Sequence, residues 1–379
     1  MINKYKINTG ASVKDYNKVS DWLSFEIPNK IKISSGKVDI GQHISTTLAL
    51  ICSRELGIDI NSIFVNKLNT DITPNEGITA SSLSVPNSGT AIRSASIIFK
   101  KNFLDFAAKS LNLNINNINL EDGVAKDPNS NASISFWDFS KTEEFLKLSI
   151  PEIIEIEDQK NFDHSSHVET KFINSIVKGE YKFLHDLRFD DMLHARIVRP
   201  PSYFHKFLSI NNVIHKYLKD HNLKLYIKNS FIAVLGNDEF EVIKSLNRIK
   251  NSIEWEQVNK LANDKIFNLI DQNSKDSLIV KRGGEAFHEN IPEIKSYNNV
   301  DHKTLTSEFN KPYLMHGSIG PSASCSFYKN GKFIIYSHSQ AIYALKSILS
   351  NVFNLNEKNI TLHFMPGACL LYTSPSPRD

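Results

Sequence analysis

The sequence has no long apolar run. No stretch of its 379 residues approaches the roughly 18 consecutive apolar positions of a membrane-spanning helix, and the start, MINKYKINTGASVKDYN, has no apolar segment typical of a signal peptide. Lysine and arginine total 44 against 41 aspartates and glutamates, without a basic tract or an acidic tail. We therefore expect a cytoplasmic protein that binds no nucleic acid and does not span a membrane.

Cysteine is also scarce. Cys52, Cys325 and Cys369 lie far apart and form no C-x-x-C pair, so the chain alone predicts neither a disulfide framework nor an iron–sulfur cluster. The 13 histidines show no H-E-x-x-H or comparable spacing, and a metal held by protein side chains is not expected. No G-x-G-x-x-G, Walker or G-x-S-x-G motif occurs. Any electron transfer would therefore require a partner.

Two segments share a strand, helix, strand plan. In the first, IKISSGKVDI indicates a strand or hairpin, ISTTLALICSREL a helix that ends at Gly57, and NSIFVNKL a strand. The second is GKFIIYSHSQAIYALKSILSNVFNLNEKNITLHF, and the apolar stripe of its helix comprises Ile342, Leu345, Leu349 and Val352. Such units predict a layered protein of the α/β or α+β class.

A glutamine stands where strand passes into helix in both units. At Gln42 and Gln340, free backbone N–H groups and the helix dipole could hold an anion. Between the units, the loop TPNEGITASSLSVPNSG offers hydroxyl and backbone donors to a polar cofactor. It leads into a helix whose apolar stripe comprises Ile92, Phe99, Phe103 and Phe106. An ordinary turn and a solvated loop remain the alternatives for these features.

Residues 165–260 indicate a separate, smaller α/β domain. YKFLHDLRFDDMLHARIVRPPSY predicts two strands, and LKLYIKNSFIAVLGNDEFEVIKSLNRIKNSIEWE predicts strand, strand, helix and strand. His194 and Arg196 alternate with apolar neighbours, so we expect both on the outward face of a half-buried strand. Residues 261–305 are predicted to be a linker, in which Glu285 has no ionisable partner nearby and is interpreted as non-catalytic.

Four segments together resemble a known family. In order, GKVDIGQHISTTLALICSRELGI, TPNEGITASSLSVPNSGTAIRSA, FLHDLRFDDMLHARIVRPPS and PYLMHGSIGPSASCSFYKNGKFIIYSHSQ are similar to the molybdopterin-binding large subunit of the xanthine dehydrogenase/aldehyde oxidase family, in its nicotinate or isoquinoline hydroxylase branch. The likeness covers nearly all of residues 20–368. It implies part of a molybdopterin-binding domain at 1–150, an a/b hammerhead domain at 165–260 and the start of a further molybdopterin-binding domain at 306–368.

The resemblance also implies a cofactor and its binding residues. Molybdenum would be held by the dithiolene sulfurs of a pyranopterin, of which the cytosine dinucleotide is one form. The positions that match the family's cofactor loops are Gly41, Gln42, Thr79, Ala80, Ser81, Ser82, Gln340 and Gly367. His43 stands where the family usually has glycine, and its imidazole needs extra room beside the cofactor.

The implied reaction is hydroxylation of an N-heterocycle or aldehyde with oxygen from water, with electrons leaving to a [2Fe-2S] ferredoxin-like small subunit. The family's general-base glutamate belongs to a later motif, so we expect no catalytic residue in this chain, which alone would be inactive. A non-catalytic binding or scaffold derivative is the alternative. The last residues, CLLYTSPSPRD at 369–379, resemble a translated sequencing adaptor, and we interpret them as an artefact that follows a truncation.

Overall fold

The computed structural model describes residues 4–157, 168–259 and 321–367, with short stretches at 278–280, 286–288, 303, 305–309, 317–318 and 320. The chain divides into two units, one of Met1–Leu187 with Pro312–Asp379 and one of Arg188–Lys311. Helices and mostly antiparallel sheets occur in both, which confirms the predicted α+β class. The tail 369–379 and Glu285 lie outside the described residues.

The first unit opens with a series of short strands and helices in the described ranges 4–157 and 168–187. Its strands are β1 Lys4–Asn8, β2 Leu23–Ser24, β3 Ile31–Ile33, β4 Ile63–Val65, β5 Asn119–Glu121, β6 Val124–Lys126, β7 Ser133–Ser135 and β8 Ile153–Glu157. Its helices are α1 Ala11–Asp15, α2 Ile44–Leu56, α3 Thr90–Leu111, α4 Phe136–Phe139, α5 Glu143–Leu146 and α6 Ile173–Val177. Strands β1 and β8 pair antiparallel and bring the two ends of this stretch together.

The first β-α-β prediction is confirmed, since β3 and β4 pair in parallel with α2 between them. Helix α2 ends at Gly57, whose left-handed backbone at φ 72° forms the expected C-terminal cap. No hairpin follows β3, however. A Cβ on Gly36 would lie 2.2 Å from the Pro74 carbonyl oxygen, so the chain after β3 packs against a distant loop instead of turning back on itself.

Helix α3 carries the core of this unit. The predicted stripe is confirmed, because Ile92, Phe99 and Phe103 are fully buried. The ring of Phe25 stacks on that of Phe99 with centroids 4.4 Å apart, and Phe136 meets Phe103 edge-on at 4.6 Å. Burying each such ring contributes about 1.5 to 3 kcal/mol to folding. The segment from Asn119 to Ser135 forms the small antiparallel sheet β5-β6-β7.

The described residues of the second unit form the following strands and helices. They are β9 His194–Val198, β10 His205–Ile210, α7 Val213–Asp220, β11 Lys224–Lys228, β12 Phe231–Gly236, α8 Glu239–Lys250, β13 Ile253–Gln257, β14 Leu278–Val280 and β15 Ala286–His288. Sheet β11-β12-β9 packs its buried Val198, Ile232 and Val234 with apolar side chains from α7 and α8. The strand, strand, helix, strand prediction for β11 to β13 is confirmed.

Two predictions around β9 are wrong. Of the two strands expected in YKFLHDLRFDDMLHARIVRPPSY only β9 forms, because the ring of Tyr181 packs edge-on against that of Phe183 and a single 3-10 turn, Leu184–Asp186, follows. The faces of β9 are also reversed. Ile197 and Leu193, the residue before the strand, are about half exposed, whereas His194 and Arg196 turn toward Glu239 at the start of α8.

The first unit is completed by β16 Ser324–Lys329, β17 Lys332–Ser337, α9 Ile342–Phe353 and β18 Ile360–Phe364. Strands β17 and β18 pair in parallel across α9, which confirms the second β-α-β unit. Val352 is 68% exposed, contrary to the prediction, because Phe353 continues the stripe and stacks on Phe333 at 5.4 Å.

The two β-α-β units lie in one body and share a core. Val38 and Leu68, from the first stretch, are buried in the same apolar cluster as Ile335 and Leu362. The N–H of Phe364 donates to the Leu68 carbonyl at 2.8 Å, so the earlier segment runs beside β18. Loops that precede α2 and α9 are thereby held in one unit. Among the helices that the structure describes, none is long and apolar enough to cross a membrane.

Candidate functional site

The first glutamine turn is closed by its own side chain. Gln42 Oε1 accepts from the Ile40 N–H at 2.7 Å, and Gln42 Nε2 donates to the Val38 carbonyl at 2.8 Å. The amide therefore supports the backbone that leads into α2. Gly41 stands in this turn with φ 113°, a conformation that favours glycine.

His43 occupies a left-handed position directly before α2, with φ 53° and ψ 39°. This conformation costs a non-glycine residue roughly 1 to 2 kcal/mol, although histidine tolerates it better than most. The resemblance implies glycine at this position. Glycine would adopt the left-handed backbone without strain, and it would also leave space beside a cofactor. The departure at His43 changes local strain without removing the turn.

The N-terminus of α2 already holds a carboxylate. Asp39 Oδ1 accepts from the Ser45 N–H at 3.3 Å, and the Ser45 hydroxyl donates to Asp39 Oδ2. A second anion here would meet like charge at the positive end of the helix. The anion predicted at the Gln42 turn would therefore be disfavoured at this helix end, and it stays a prediction.

Thr79 joins the two glutamine turns. It is 3% exposed, its Oγ1 accepts from the Val38 N–H at 3.0 Å, and its own N–H donates to the Gln340 carbonyl at 2.9 Å. Since Gln42 also bonds to Val38, one continuous chain of hydrogen bonds links Gln42, Val38, Thr79 and Gln340. Three of the predicted cofactor segments, distant in sequence, thus meet at one place.

The rest of the loop is open. Ser81 and Ser82 are exposed and take consecutive left-handed conformations, with φ 56° and 57°. Their hydroxyls, and the half-buried amide of Gln340, make no hydrogen bond to any residue in the described part of the chain. Ala80 precedes the two serines and its carbonyl accepts from the Leu83 N–H at 3.2 Å. The loop offers neutral hydroxyl and amide donors, a set that suits a polar heterocycle.

Gly367 packs against a histidine in the turn of the second β-α-β unit. A Cβ on Gly367 would lie 2.6 Å from Cγ of His338, so only glycine fits. His338 Nε2 accepts the Ala323 N–H at 3.1 Å, which requires a neutral ring. Burial lowers the pKa of His338, and the nearby His185 adds to the effect. Because His338 precedes Gln340 by only two residues, this contact brings Gly367 beside the second glutamine turn.

A small cavity adjoins the first glutamine turn. It has a volume of about 20 Å³ and is lined by Gly41, His43, Tyr181, Phe183 and Pro366, among others. This space is about enough for one water molecule. A pterin does not fit there, so a cofactor would lie on the open side of the loops that carry Ser81, Ser82 and Gln340.

Sequence reasoning missed two residues that hold the loop. Lys37 is 7% exposed, and its Nζ donates to the carbonyls of Glu76 and Ile78 at 2.7 and 2.9 Å. Burial lowers the pKa of this lysine, and the charge of Glu76 opposes the shift. The Glu76 carboxylate in turn accepts from Ser12, Ser35, Gly36 and Ser88. A lone acid in a loop of small polar residues was the only signal in the sequence.

Glu239 and His185 make contacts within their own surroundings. Glu239 contacts Arg196 at 2.7 Å and His194 and Arg188 at 3.6 Å each, all within the second unit. His185 Nε2 donates to the Pro321 carbonyl at 2.8 Å. No group of three histidine, cysteine or acidic side chains with metal-site geometry occurs among residues that the structure describes.

Comparison with known proteins defines the class of the first stretch. Residues 1–175 match the family model of the molybdopterin cofactor-binding domain. A nicotinate dehydrogenase subunit of Pseudomonas putida is 25% identical over 353 residues, which cover 88% of this chain and 28% of that protein. The predicted resemblance is thus confirmed: the chain is similar to a molybdopterin-binding dehydrogenase subunit, and residues 1–175 match the cofactor-binding domain itself.

Other relatives are more distant. The membrane-bound aldehyde dehydrogenase (pyrroloquinoline-quinone) of Gluconacetobacter polyoxogenes is 20% identical over 360 residues, or 90% of this chain and 45% of that protein. Among solved structures, quinoline 2-oxidoreductase from Pseudomonas putida 86 is 17% identical over 42% of this chain and 22% of that chain, with a TM-score of 0.26. The chain spans less than half the length of the nicotinate and aldehyde dehydrogenases that it matches.

Proposed function

We propose that this chain holds a molybdenum pyranopterin cofactor in the large subunit of a molybdenum hydroxylase. The observation that carries the proposal is the hydrogen-bond chain from Gln42 through Val38 and Thr79 to Gln340. These hydrogen bonds hold together three segments that match the family's cofactor loops. A loop that only faced solvent would not be expected to make them. The same contacts argue against the plain-turn alternative.

The chain's residues would act as binding groups. Ser81, Ser82 and the Gln340 amide would donate to or accept from the polar edge of the pterin and its substituents. Gly41 and Gly367 would shape the neighbouring backbone, Gly41 through its positive φ and Gly367 by leaving room for the His338 ring. Asp39 would keep phosphate away from the start of α2, because like charges repel there. The cofactor would supply the redox chemistry, in which oxygen from water is transferred to an electron-poor carbon.

The domain assignments follow the same proposal. Residues 1–150 and 306–368 would belong to molybdopterin-binding domains, and 165–260 would be the hammerhead domain. The second unit, Arg188–Lys311, supports the latter because β9 to β13 with α7 and α8 form an α/β arrangement with its own core. We expect the chain to contribute cofactor-holding residues.

Substrate and partner are further parts of the proposal. The names of the relatives, a nicotinate dehydrogenase and an aldehyde dehydrogenase, support an N-heterocycle or an aldehyde as substrate. Electrons would leave to a [2Fe-2S] ferredoxin-like small subunit, since Cys52 is fully buried and the chain has no cysteine cluster. The cytosine dinucleotide is one form that the cofactor would take, and the nucleotide released on acid hydrolysis tests it.

The experiment compares Gln340→Ala with Gln257→Ala, a matched change on β13 of the second unit. Chains made in a host that synthesises molybdopterin are purified, and pterin per polypeptide is measured after oxidation to its fluorescent form. We expect the Gln340 variant to lose most of its pterin and the Gln257 variant to match wild type. Equal pterin in both variants would remove Gln340 from the site, and a wild-type chain without pterin would support the non-catalytic scaffold.

A further inference from the structure

The Glu76 carboxylate is the centre of a hydrogen-bond network made only of neutral donors. Its Oε1 accepts from the Ser12 hydroxyl at 2.7 Å. Its Oε2 accepts from the Gly36 N–H at 2.8 Å and from the Ser88 and Ser35 hydroxyls at 2.6 and 3.2 Å. These donors come from α1, from the chain after β3 and from the turn before α3. One side chain thus ties three separate segments to the loop.

The network is built inside the protein. Ser35 is 1% exposed and Ser88 is fully buried, and their hydroxyl oxygens lie 3.0 Å apart. Lys37 reaches the loop from its backbone side, where its Nζ bonds to the Glu76 and Ile78 carbonyls. The start of the loop is therefore held in two ways: the buried Lys37 ammonium binds its backbone carbonyls, and four donors bind the Glu76 carboxylate. An unconstrained surface loop shows neither feature.

The residues after the clamp are in a conformation that needs support. Ser81 and Ser82 both have positive φ, which non-glycine residues keep only where the surrounding structure determines it. Between them and Glu76 lies Thr79, whose N–H meets Gln340. A shift of Glu76 would be passed through Ile78 to Thr79, and so to the contact between the two glutamine turns.

We propose that Glu76 is a positioning residue, which fixes residues 77–82 in the conformation that receives the cofactor. This inference rests on the proposed function. Glu76 would act through Thr79, Ser81 and Ser82 and would not itself touch the cofactor, because its carboxylate oxygens are already turned to Ser12, Ser35, Gly36 and Ser88.

Two variants separate positioning from simple loss of stability. Glu76→Gln keeps the shape: its oxygen can accept from Gly36 and Ser88, and its amide can donate to the Ser12 oxygen, because a hydroxyl also accepts. Glu76→Ala removes every bond of the network. The control is Glu55→Ala, which deletes another carboxylate of the same unit, 11% exposed and bonded to Arg93 Nε at 2.7 Å, away from the loop.

Amide exchange is measured first, on chains without cofactor. In Glu76→Ala, peptides that contain Gly36 and Thr79 are expected to exchange at least about tenfold faster, while α3 peptides stay as in wild type. Glu76→Gln should remain within about threefold of wild type, and Glu55→Ala should leave both loop peptides unchanged. Pterin content, measured on loaded chains, should fall to less than about a tenth in Glu76→Ala and stay near wild type in the other two.

Each other result has a defined meaning. Unchanged amide exchange in Glu76→Ala, or an equal loss of pterin in the glutamine and alanine variants, overturns the positioning role. If the wild-type chain still carries pterin, the proposed function remains intact. A loss of pterin as large in Glu55→Ala as in Glu76→Ala would also overturn it, since general destabilisation would then suffice. A wild-type chain without pterin refutes the proposed function and this inference with it.

Discussion

Replacing Gly36 by alanine tests the packing on which the candidate site depends. The added Cβ would lie 2.2 Å from the Pro74 carbonyl oxygen and 2.8 Å from the Glu76 nitrogen. Both atoms belong to the backbone, so neither can rotate away as a side chain would. The chain after β3 and the loop that begins at Thr73 must therefore separate.

Two terms add in the expected loss. Overpacking against rigid atoms costs about 1 to 3 kcal/mol. Separation also lengthens the 2.8 Å bond from the Gly36 N–H to the Glu76 carboxylate, and a bond to a charged group contributes about 1.5 to 3 kcal/mol. The two terms together span about 2.5 to 6 kcal/mol, and we expect the free energy of unfolding of the first unit to fall by about 3 to 5 kcal/mol, in the middle of that range.

The matched control is Gly89→Ala, at a helical glycine in the turn before α3. There the Cβ would meet the Ile51 Cδ1 atom at 3.1 Å and the Val85 Cγ1 atom at 3.2 Å, and both side chains can adjust. Alanine also favours the helix by up to about 1 kcal/mol. This variant is expected to unfold within about 1 kcal/mol of wild type.

Urea unfolding followed by tryptophan emission measures both variants. Trp22 and Trp137 report on the first unit and Trp255 on the second, so a Trp255→Phe background isolates the first transition. With a slope near 2 kcal/mol per molar urea, Gly36→Ala should lower the midpoint by roughly 1.5 to 2.5 M. A midpoint no lower than that of Gly89→Ala would refute the close approach of the two segments.

Two further predictions concern Thr79 and Glu239. Thr79→Val keeps the side-chain shape but leaves the buried Val38 N–H without its acceptor, so exchange of that amide should accelerate and the free energy of unfolding should fall by about 1 to 3 kcal/mol. Thr79→Ser should keep the amide protected. Equal exchange of the Val38 amide in both variants would contradict the hydrogen bond. The hydrogen bond from Arg196 lowers the pKa of Glu239 below its ordinary value of 4.5. The Arg196–Glu239 ion pair therefore stabilises the protein fully above that value, and this contribution is lost as pH falls through the lower, folded-state pKa. The acid sensitivity of Trp255 emission should weaken in Glu239→Gln. An unchanged pH profile would contradict the ion pair.

Local features of the site were predictable from the sequence. The apolar spacing from Ile44 to Leu56 and the cap at Gly57 define α2, and the same signals define α9, because helix periodicity and capping act within a few residues. The β-α-β units followed from these signals. Their parallel pairs at β3-β4 and β17-β18 are the usual outcome of such connections.

The remaining features depend on contacts between distant residues. The alternation of polar and apolar residues along β9 distinguishes its two faces but does not say which one lies inward. That choice depends on Glu239 of α8, which binds Arg196. The aromatic run at Tyr181 and Phe183 alternates like a strand, yet its rings pack on each other. The bonds of Thr79 to Val38 and Gln340, and of Glu76 to the serines, join segments whose meeting no local pattern encodes.

The most direct measurement is the molar ratio of molybdenum, pterin and polypeptide in the purified wild-type chain. The chain is made in a host that synthesises the cofactor, and a full-length nicotinate dehydrogenase subunit from the same host serves as a control for loading. We predict pterin and molybdenum in equal amounts, bound to the chain and lost on unfolding. A chain that carries neither while the control is loaded would contradict the central claim that these loops form a cofactor site.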